Sequence, residues 1–271
     1  MLCAEEGANI GLTSRTIEEL NNVKKEIENL GNGTKVAIQT GDMTIYQDVL
    51  KVFEVLHNEL GQLNGVIANA GWRDSQPSLT YNLEVFRKIL DLNILGVYYT
   101  FRAAYPFLKM DDKKDKARFI ITGSQHYTTP APQFLPYTIA KYGIIGLIHS
   151  LSTEFRRDNI TFNAVMPTAV DTYLHRGANA EDGNKPDNFL NPWDISDYYL
   201  YFLSEYANRS NFELLFTIDF ENLKALIREA SNDKKENLEA FLGYLEEQKP
   251  RLFDKVKKST KFIEFLLARS K

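Results

Sequence analysis

The chain has 271 residues and a formal net charge of −4, enough length for one large α/β domain, or one domain with an appendage, around a sizeable core. Mild acidity argues against a nucleic-acid binder, and the single Cys3 allows neither an internal disulfide nor a cysteine-based zinc site, which suits a reducing, cytoplasmic setting. No apolar run is long enough to cross a membrane, and no basic stretch followed by an apolar one opens the chain, so neither a membrane nor a secreted protein is expected.

Six short apolar runs read as strands: Ala8–Leu12, Lys35–Gln39, Gly65–Ala68, Arg118–Thr122, Thr161–Val165 and Leu214–Ile218. They are rich in Val, Ile, Leu and Phe and do not alternate strictly, as strands buried on both faces do not. Between them lie stretches at helical spacing, such as Leu20, Val23, Ile27 and Leu30. Strand and helix in alternation predict a Rossmann-like, doubly wound parallel sheet of the α/β class. This part is expected to span residues 1–220. Residues 221–271 change character, with 21 of 51 charged. Leu223, Leu226, Ile227 and Ala230 form one helical stripe, and Leu238, Phe241, Leu242 and Leu245 a second. Pro250 opens an expected third helix, with Leu252, Val256, Ile263 and Leu267 on one face. The tail is thus a charged helical extension, compatible with covering a pocket or with a homo-oligomer.

In a parallel sheet, ligands bind beyond the carboxyl ends of the strands. Small, polar or turn-prone residues follow five of the runs: Thr13-Ser14-Arg15, Gly41-Asp42-Met43, Asn69-Ala70-Gly71, Thr122-Gly123-Ser124 and Pro167 through Thr172. Pro136 then sits near the start of a helix that carries Tyr137 and Lys141, four apart and so on one face. A free tyrosine, with a pKa of about 10, is a poor acid or base near neutrality; an adjacent ammonium favours the phenolate. Tyr-x-x-x-Lys alone carries little weight in a chain with 14 Tyr. Ser124, 13 residues earlier, adds a hydroxyl able to hydrogen-bond a carbonyl beside the Tyr. Asn93, inside an apolar helix, adds an amide that needs partners.

This set resembles the short-chain dehydrogenase/reductase family over about Met1 to Phe220. The resemblance rests on Asn69-Ala70-Gly71, Asn93, Ser124, Tyr137-x-x-x-Lys141 and the Pro167–Thr172 stretch. It implies an oxidoreductase that transfers a hydride between a nicotinamide cofactor and a carbonyl compound or secondary alcohol, with small molecules rather than nucleic acid or membrane as partners. Tyr137 would be the general acid/base. Lys141 would lower its pKa and bind the nicotinamide ribose, Ser124 would polarise the carbonyl, and Asn93 would hold a water. Asn69, Ala70 and Gly71 would line the adenosine side, Asp42 and Met43 would meet the adenine, and Pro167, Val170 and Thr172 would lie by the nicotinamide carboxamide. Where the family fold binds the ribose 2′-hydroxyl with an acidic residue, this chain has Ser14 followed by Arg15, a pair that suits a 2′-phosphate and favours NADP over NAD. The four His residues show no metal spacing, and no metal is expected; His126 and Tyr127 are candidates to face the substrate, as are the aromatic rings of Trp72, Phe134, Phe189 and Trp193.

The chain also departs from the pattern. The glycine-rich phosphate turn belongs about 20 residues before Ser14, and Glu5-Glu6-Gly7-Ala8 reads as the end of the first helix. The sheet is therefore expected to be N-terminally incomplete, lacking its first βα unit. Either a gap opens beside the first run, or that run pairs directly with the one at Gly65–Ala68. Thr168, Phe212 and Phe220 stand where glycines are usual, and Asp111–Lys116 looks like a loop insertion. A second reading, a non-catalytic binding or scaffold paralogue, stays open on these grounds.

Overall fold

The computed structural model describes residues 1–108, 115–180, 183–230, 232–235 and 237–270; the side chains of 218–221 and 255 lie outside the description. Most of the expected insertion at Asp111–Lys116 falls outside the described residues, as does the Phe220 side chain. In chain order the elements are α1 (Leu2–Glu5), β1 (Ile10–Ser14), α2 (Ile17–Glu28), β2 (Val36–Thr40), α3 (Tyr46–Leu60), β3 (Gly65–Ala68), α4 (Leu83–Leu90), α5 (Gly96–Ala104), β4 (Ala117–Thr122) and α6 (Leu135–Glu154). Then come β5 (Ile160–Met166), α7 (Tyr173–Arg176), α8 (Ser196–Leu203), β6 (Leu214–Phe216), α9 (Thr217–Glu229), α10 (Asn232–Lys235), α11 (Leu238–Gln248), α12 (Pro250–Val256) and α13 (Thr260–Arg269). Contacts divide the chain into two compact units, Met1–Ala164 with Asn211–Glu213, and Val165–Ser210 with Leu214–Lys271.

The strands form two parallel sheets. β1 pairs with β2, from Ile10 opposite Val36 to Ser14 opposite Thr40; the other sheet has the order β3-β4-β5-β6, with Gly65 opposite Arg118. The gap beside the first strand is therefore present. Direct pairing of the Ile10–Ser14 strand with β3 does not occur. In the first unit α3 packs on β1, β2 and α5, and α5 also packs on β3, so a helical layer spans the two sheets. The first strand lies two residues later than its apolar run, because Thr13 and Ser14 are in the ladder. The last strand is shorter than expected: Thr217 and Ile218 already belong to α9.

β4 and β5 are buried along nearly their whole length. Their core is aromatic: Phe101 of α5 meets Phe119, Phe155 and Phe162 edge-on at centroid distances of 5.4, 5.1 and 5.3 Å. Phe212, expected at a glycine position, has φ of 60°, in the left-handed region that glycine adopts most easily, and stacks on His149 at 4.3 Å.

Within the second unit, the charged tail builds a core with Val165–Ser210. Leu223, Phe241, Leu245, Val256 and Ile263 are buried. Phe262 lies 5.0 Å from the Tyr198 ring and 5.1 Å from that of Tyr201. Lys224 is nearly buried, yet its ammonium donates to the Asp194 carbonyl and sits 3.2 Å from Asp197. The third expected tail helix is two helices, α12 and α13, separated at residues 257–259.

Phe101 joins α5, β4 and β5 through ring contacts that no smaller side chain replaces. The Phe101→Ala variant is expected to lose about 3–5 kcal/mol of unfolding free energy. Urea denaturation followed by circular dichroism measures it, and a loss under about 1 kcal/mol contradicts this account of the core.

Candidate functional site

β4 ends at Thr122, and Gly123-Ser124 carries the chain off the sheet with Ser124 extended. The Ser124 hydroxyl accepts from the His126 backbone N–H at 3.2 Å. Pro136 lies in the first turn of α6, where its missing N–H costs nothing. Tyr137 follows it, and Lys141 stands one turn further on the same face; both are buried. The Lys141 ammonium donates to the Thr122 carbonyl at 2.8 Å and lies 5.3 Å from the centre of the Tyr137 ring. Thr122 in turn donates its hydroxyl to Asn69 Oδ1 at 2.8 Å. Asn69, at the end of β3, is thus tied to the helix that carries Tyr137.

Asn93 lies on a π-helical turn, Asp91–Leu95, between α4 and α5. Such a turn carries an extra residue and often marks a working position. The Asn93 amide donates to the carbonyls of Trp72 at 2.7 Å and Ile89 at 2.8 Å. Its Oδ1 is buried and has no partner among the described residues, which fits the water-holding task the resemblance implies. Gly71 is needed for this approach, since a Cβ there would stand 2.8 Å from that oxygen.

The electrostatics around Tyr137 bring in a residue not named among the candidates. The Tyr137 phenol is pushed up from the ordinary tyrosine range by burial, while a hydrogen bond with Ser124 and the positive charge of Arg73 pull in the opposite direction. The Lys141 pKa is pushed down to about 8 by burial. Arg73 is a cation that acts on the phenol; the sequence did not mark it, although it lies two residues after Asn69-Ala70-Gly71. Its guanidinium lies 4.9 Å from the Phe134 ring centre. His126 stands edge-on to Phe134 at 5.6 Å and to Tyr137 at 5.2 Å, and its imidazole is held below the usual range by burial, then by Arg73 and Lys141. His126 therefore lies in the wall beside Tyr137. Tyr127 packs instead against Tyr142, at 5.0 Å.

The candidates on and after β1 and β2 form a separate group in the same unit. Arg15, Asp42, Gly41, Gln39, Thr40, Asp48 and Lys51 line a cavity of about 370 Å³. Ser14 holds a local turn, its hydroxyl accepting from Thr16 N–H at 3.1 Å. The Asp42 carboxyl is held below its ordinary range, first by the Thr44 hydroxyl at 2.7 Å, then by the Thr44 N–H at 2.8 Å. Met43 is buried beside it. Asn69 and Ala70 are exposed at the end of β3. Pro167, Val170 and Thr172 belong to the second unit, where Val170 forms a bridge with Leu190 and Thr168 N–H donates to the Thr217 hydroxyl at 3.0 Å. Phe189 and Trp193 lie in that unit also.

Residues 1–183 match the family described as short chain dehydrogenase. A glucose 1-dehydrogenase from Gluconobacter oxydans is 28% identical over 172 residues, covering 64% of this chain and 64% of that protein. A (-)-trans-carveol dehydrogenase from Rhodococcus erythropolis is 29% identical over 183 residues, covering 62% of this chain and 64% of that protein. The chain therefore spans less than two thirds of the length of either relative. The NADPH-bound short chain oxidoreductase from Pseudomonas aeruginosa PAO1, titled as having an atypical catalytic center, superposes with a TM-score of 0.72 at 18% identity, over 79% of this chain and 87% of that one; this likeness is of fold.

Burial of Lys141 has a pH signature. Below about pH 8 the ammonium is charged in the folded and unfolded chain alike, and its burial penalty is constant. Between about 8 and 10.5 the unfolded chain binds the extra proton, so stability attributable to this group rises with pH. The unfolding free energy of the wild type minus that of Lys141→Met is expected to grow by on the order of 2 kcal/mol from pH 7.5 to pH 10. Parallel urea titrations measure it; a difference that stays flat or falls contradicts the assignment.

Proposed function

Because the chain belongs to the short-chain dehydrogenase family, we propose that it is an oxidoreductase acting with a nicotinamide dinucleotide, NADP(H) in preference to NAD(H), on a carbonyl compound or secondary alcohol. The observation that carries this reading is the buried Tyr137 phenol, hydrogen-bonded to Ser124 and acted on by a nearby guanidinium. The Ser124 and Tyr137 hydroxyls are within hydrogen-bond reach of each other, which suits a carbonyl oxygen that meets both. Ser124 polarises it, and Tyr137, kept protonated by burial, hands it a proton during reduction. The bound nicotinamide supplies the hydride in that direction and accepts it in the reverse.

Lys141 donates one hydrogen bond to Thr122 and has two further N–H donors for the ribose hydroxyls. Asn93 Oδ1 holds a water through which the Tyr137 proton is replaced. Asn69, Ala70 and Gly71 line the adenosine side. Arg15, with Lys51 in the same cavity, supports the choice of a 2′-phosphate, and Asp42 with Met43 faces the adenine. Pro167, Val170 and Thr172 serve the carboxamide. Among the described residues no glycine-rich turn leads from a strand into a helix. A reducing cytoplasmic setting goes with the single Cys3.

Tyr137→Phe is expected to lower the rate of NADPH-dependent ketone reduction by about 10²–10⁴-fold while the NADPH fluorescence titration still saturates. Undiminished turnover in that variant would falsify the assignment of the acid/base. Absence of saturable NADPH binding below about 1 mM would favour the non-catalytic alternative.

Reversing the charge at Arg15 tests the cofactor choice separately. Arg15→Glu is expected to weaken NADPH by about tenfold or more and to leave NADH within a few-fold. Equal losses for both cofactors would remove the 2′-phosphate reading.

A further inference from the structure

The charged tail meets the rest of its unit at the stretch that follows β5. β5 ends at Met166, so the Thr168 N–H has left the ladder and needs another acceptor. It donates to the hydroxyl of Thr217, the first residue of α9, at 3.0 Å. That hydroxyl in turn donates to the Thr168 hydroxyl at 3.4 Å. Thr217 is fully buried, and its carbonyl accepts from the buried Tyr198 hydroxyl at 3.3 Å. A hydroxyl accepts and donates at once, which this paired arrangement requires.

A second hold reaches the same stretch from further along α9. Lys224 stands about two turns on from Thr217. Its ammonium donates to the Asp194 carbonyl and lies 3.2 Å from the Asp197 carboxylate. The Asp194 carboxylate accepts from the Asn191 N–H at 2.7 Å and from the Asn191 side-chain amide at 3.2 Å. Leu190, next to Asn191, donates its N–H to the Ala169 carbonyl at 2.9 Å, and its carbonyl accepts from the Asp171 N–H at 2.8 Å. Thr168, Ala169 and Asp171 are therefore fixed by bonds whose partners α9 places. The last helix braces the arrangement: Arg269 lies 3.5 Å from Asp197, and Phe262 packs on the Tyr198 ring. All of these residues lie in the second unit.

We infer that α9 is a positioning element, with Thr217 as its positioning residue, through which the tail sets the affinity of the Pro167–Thr172 stretch for the carboxamide of a nicotinamide. The inference rests on the oxidoreductase reading above for the identity of the ligand, but not for the hold of α9 on the stretch. The gripped residues, Thr168, Ala169 and Asp171, interleave with Pro167, Val170 and Thr172. The bridge between Val170 and Leu190 is made by the backbone groups of Ala169 and Asp171, not by those of Val170. A stretch ordered before its ligand arrives loses less entropy on binding it. Thr217 acts through Thr168 alone and meets no reacting atom.

The test uses the full chain with Thr217→Val, which removes the hydroxyl and keeps the shape, and Thr217→Ser, which keeps the hydroxyl. Two probes are titrated: NADPH by its fluorescence, and 2′,5′-ADP, which has the adenosine 2′-phosphate and no nicotinamide, by calorimetry. Hydrogen exchange read by mass spectrometry compares residues 166–172 with residues 117–124 and 136–142. In Thr217→Val, NADPH is expected to weaken by about tenfold and 2′,5′-ADP by less than about twofold. Exchange at 166–172 speeds up by about tenfold, while the other two segments keep their rates. Thr217→Ser stays within about twofold of the wild type in each measurement. An unchanged NADPH affinity in Thr217→Val overturns the inference. So does an equal weakening of both probes, which reports general damage, or a Thr217→Ser variant that behaves like Thr217→Val, because the hydroxyl is then not the link. A wild type that binds neither NADPH nor NADH defeats the oxidoreductase reading, and exchange then decides the role of α9 alone. Faster exchange confined to 166–172 in Thr217→Val, restored in Thr217→Ser, supports the positioning role; unchanged exchange overturns it. If Thr217→Val does not fold, Asp194→Ala, which releases Asn191 and Leu190, takes its place, and Asp194→Asn that of the serine variant, with the same outcomes.

Discussion

A buried ammonium sets the geometry of this site. Lys141 has lost nearly all contact with water, and a charge so placed persists only where fixed dipoles replace its hydration. The Thr122 carbonyl, at the end of β4, supplies one of them at 2.8 Å. That bond fixes the rotation of α6 about its own axis relative to the sheet. Tyr137 lies one turn earlier on the same face, so the same rotation brings its hydroxyl to Ser124, just past the end of the same strand. Thr122 passes the constraint on by donating its hydroxyl to Asn69, so β3 is held in the same frame. A single residue, Thr122, thus ties two strand ends and a helix through its carbonyl and its hydroxyl, and the candidate residues follow from the tie.

The charges around the phenol divide their work by distance and burial. Lys141 is bonded to backbone and acts by position. Arg73 reaches the phenol electrostatically but from another loop, so the field at Tyr137 is set by residues 64 apart in sequence. Burial wins the competition and keeps the phenol protonated.

Much of this was legible in sequence where the signal is local. β3 has the bounds its apolar run predicts, and α6 carries Pro136, Tyr137 and Lys141 as read. The first strand was misplaced by two residues because polar Thr13 and Ser14 pair in a strand that is only half buried; an apolar run marks burial, not hydrogen bonding. The π-helical turn under Asn93 left no mark, since the apolar residues around it satisfy either helix period. Arg73 was invisible for a different reason. Its meaning lies in Phe134 and Tyr137, brought close by the fold, and nothing near residue 73 in sequence records them. The break between α12 and α13 was hidden in the same way: Phe262 and Phe265 pack on Tyr198, Tyr201 and Tyr206, which set the last helix apart from its predecessor.

The two groups of candidate residues in the first unit stand on strands of different sheets. Parallel strands are ordinarily buried on both faces, and β4 and β5 obey this. β1 and β3 do not: β1 alternates between half-buried and exposed positions, and Ile67 in β3 is 39% exposed. Both have a single strand partner among the described residues, so each keeps an edge whose backbone groups must bond to something other than a strand. Asn69, Ser124, Tyr137 and Lys141 all depend on β3, β4 and α6, whose ladder is intact from Gly65 opposite Arg118 onward. Arg15 and Asp42 depend on β1 and β2, held to the rest through α3 and α5. A disturbance of the space between β1 and β3 therefore acts first on the distance between the two groups of residues. The Tyr137–Ser124 and Lys141–Thr122 contacts lie on one side of that space and do not stretch with it.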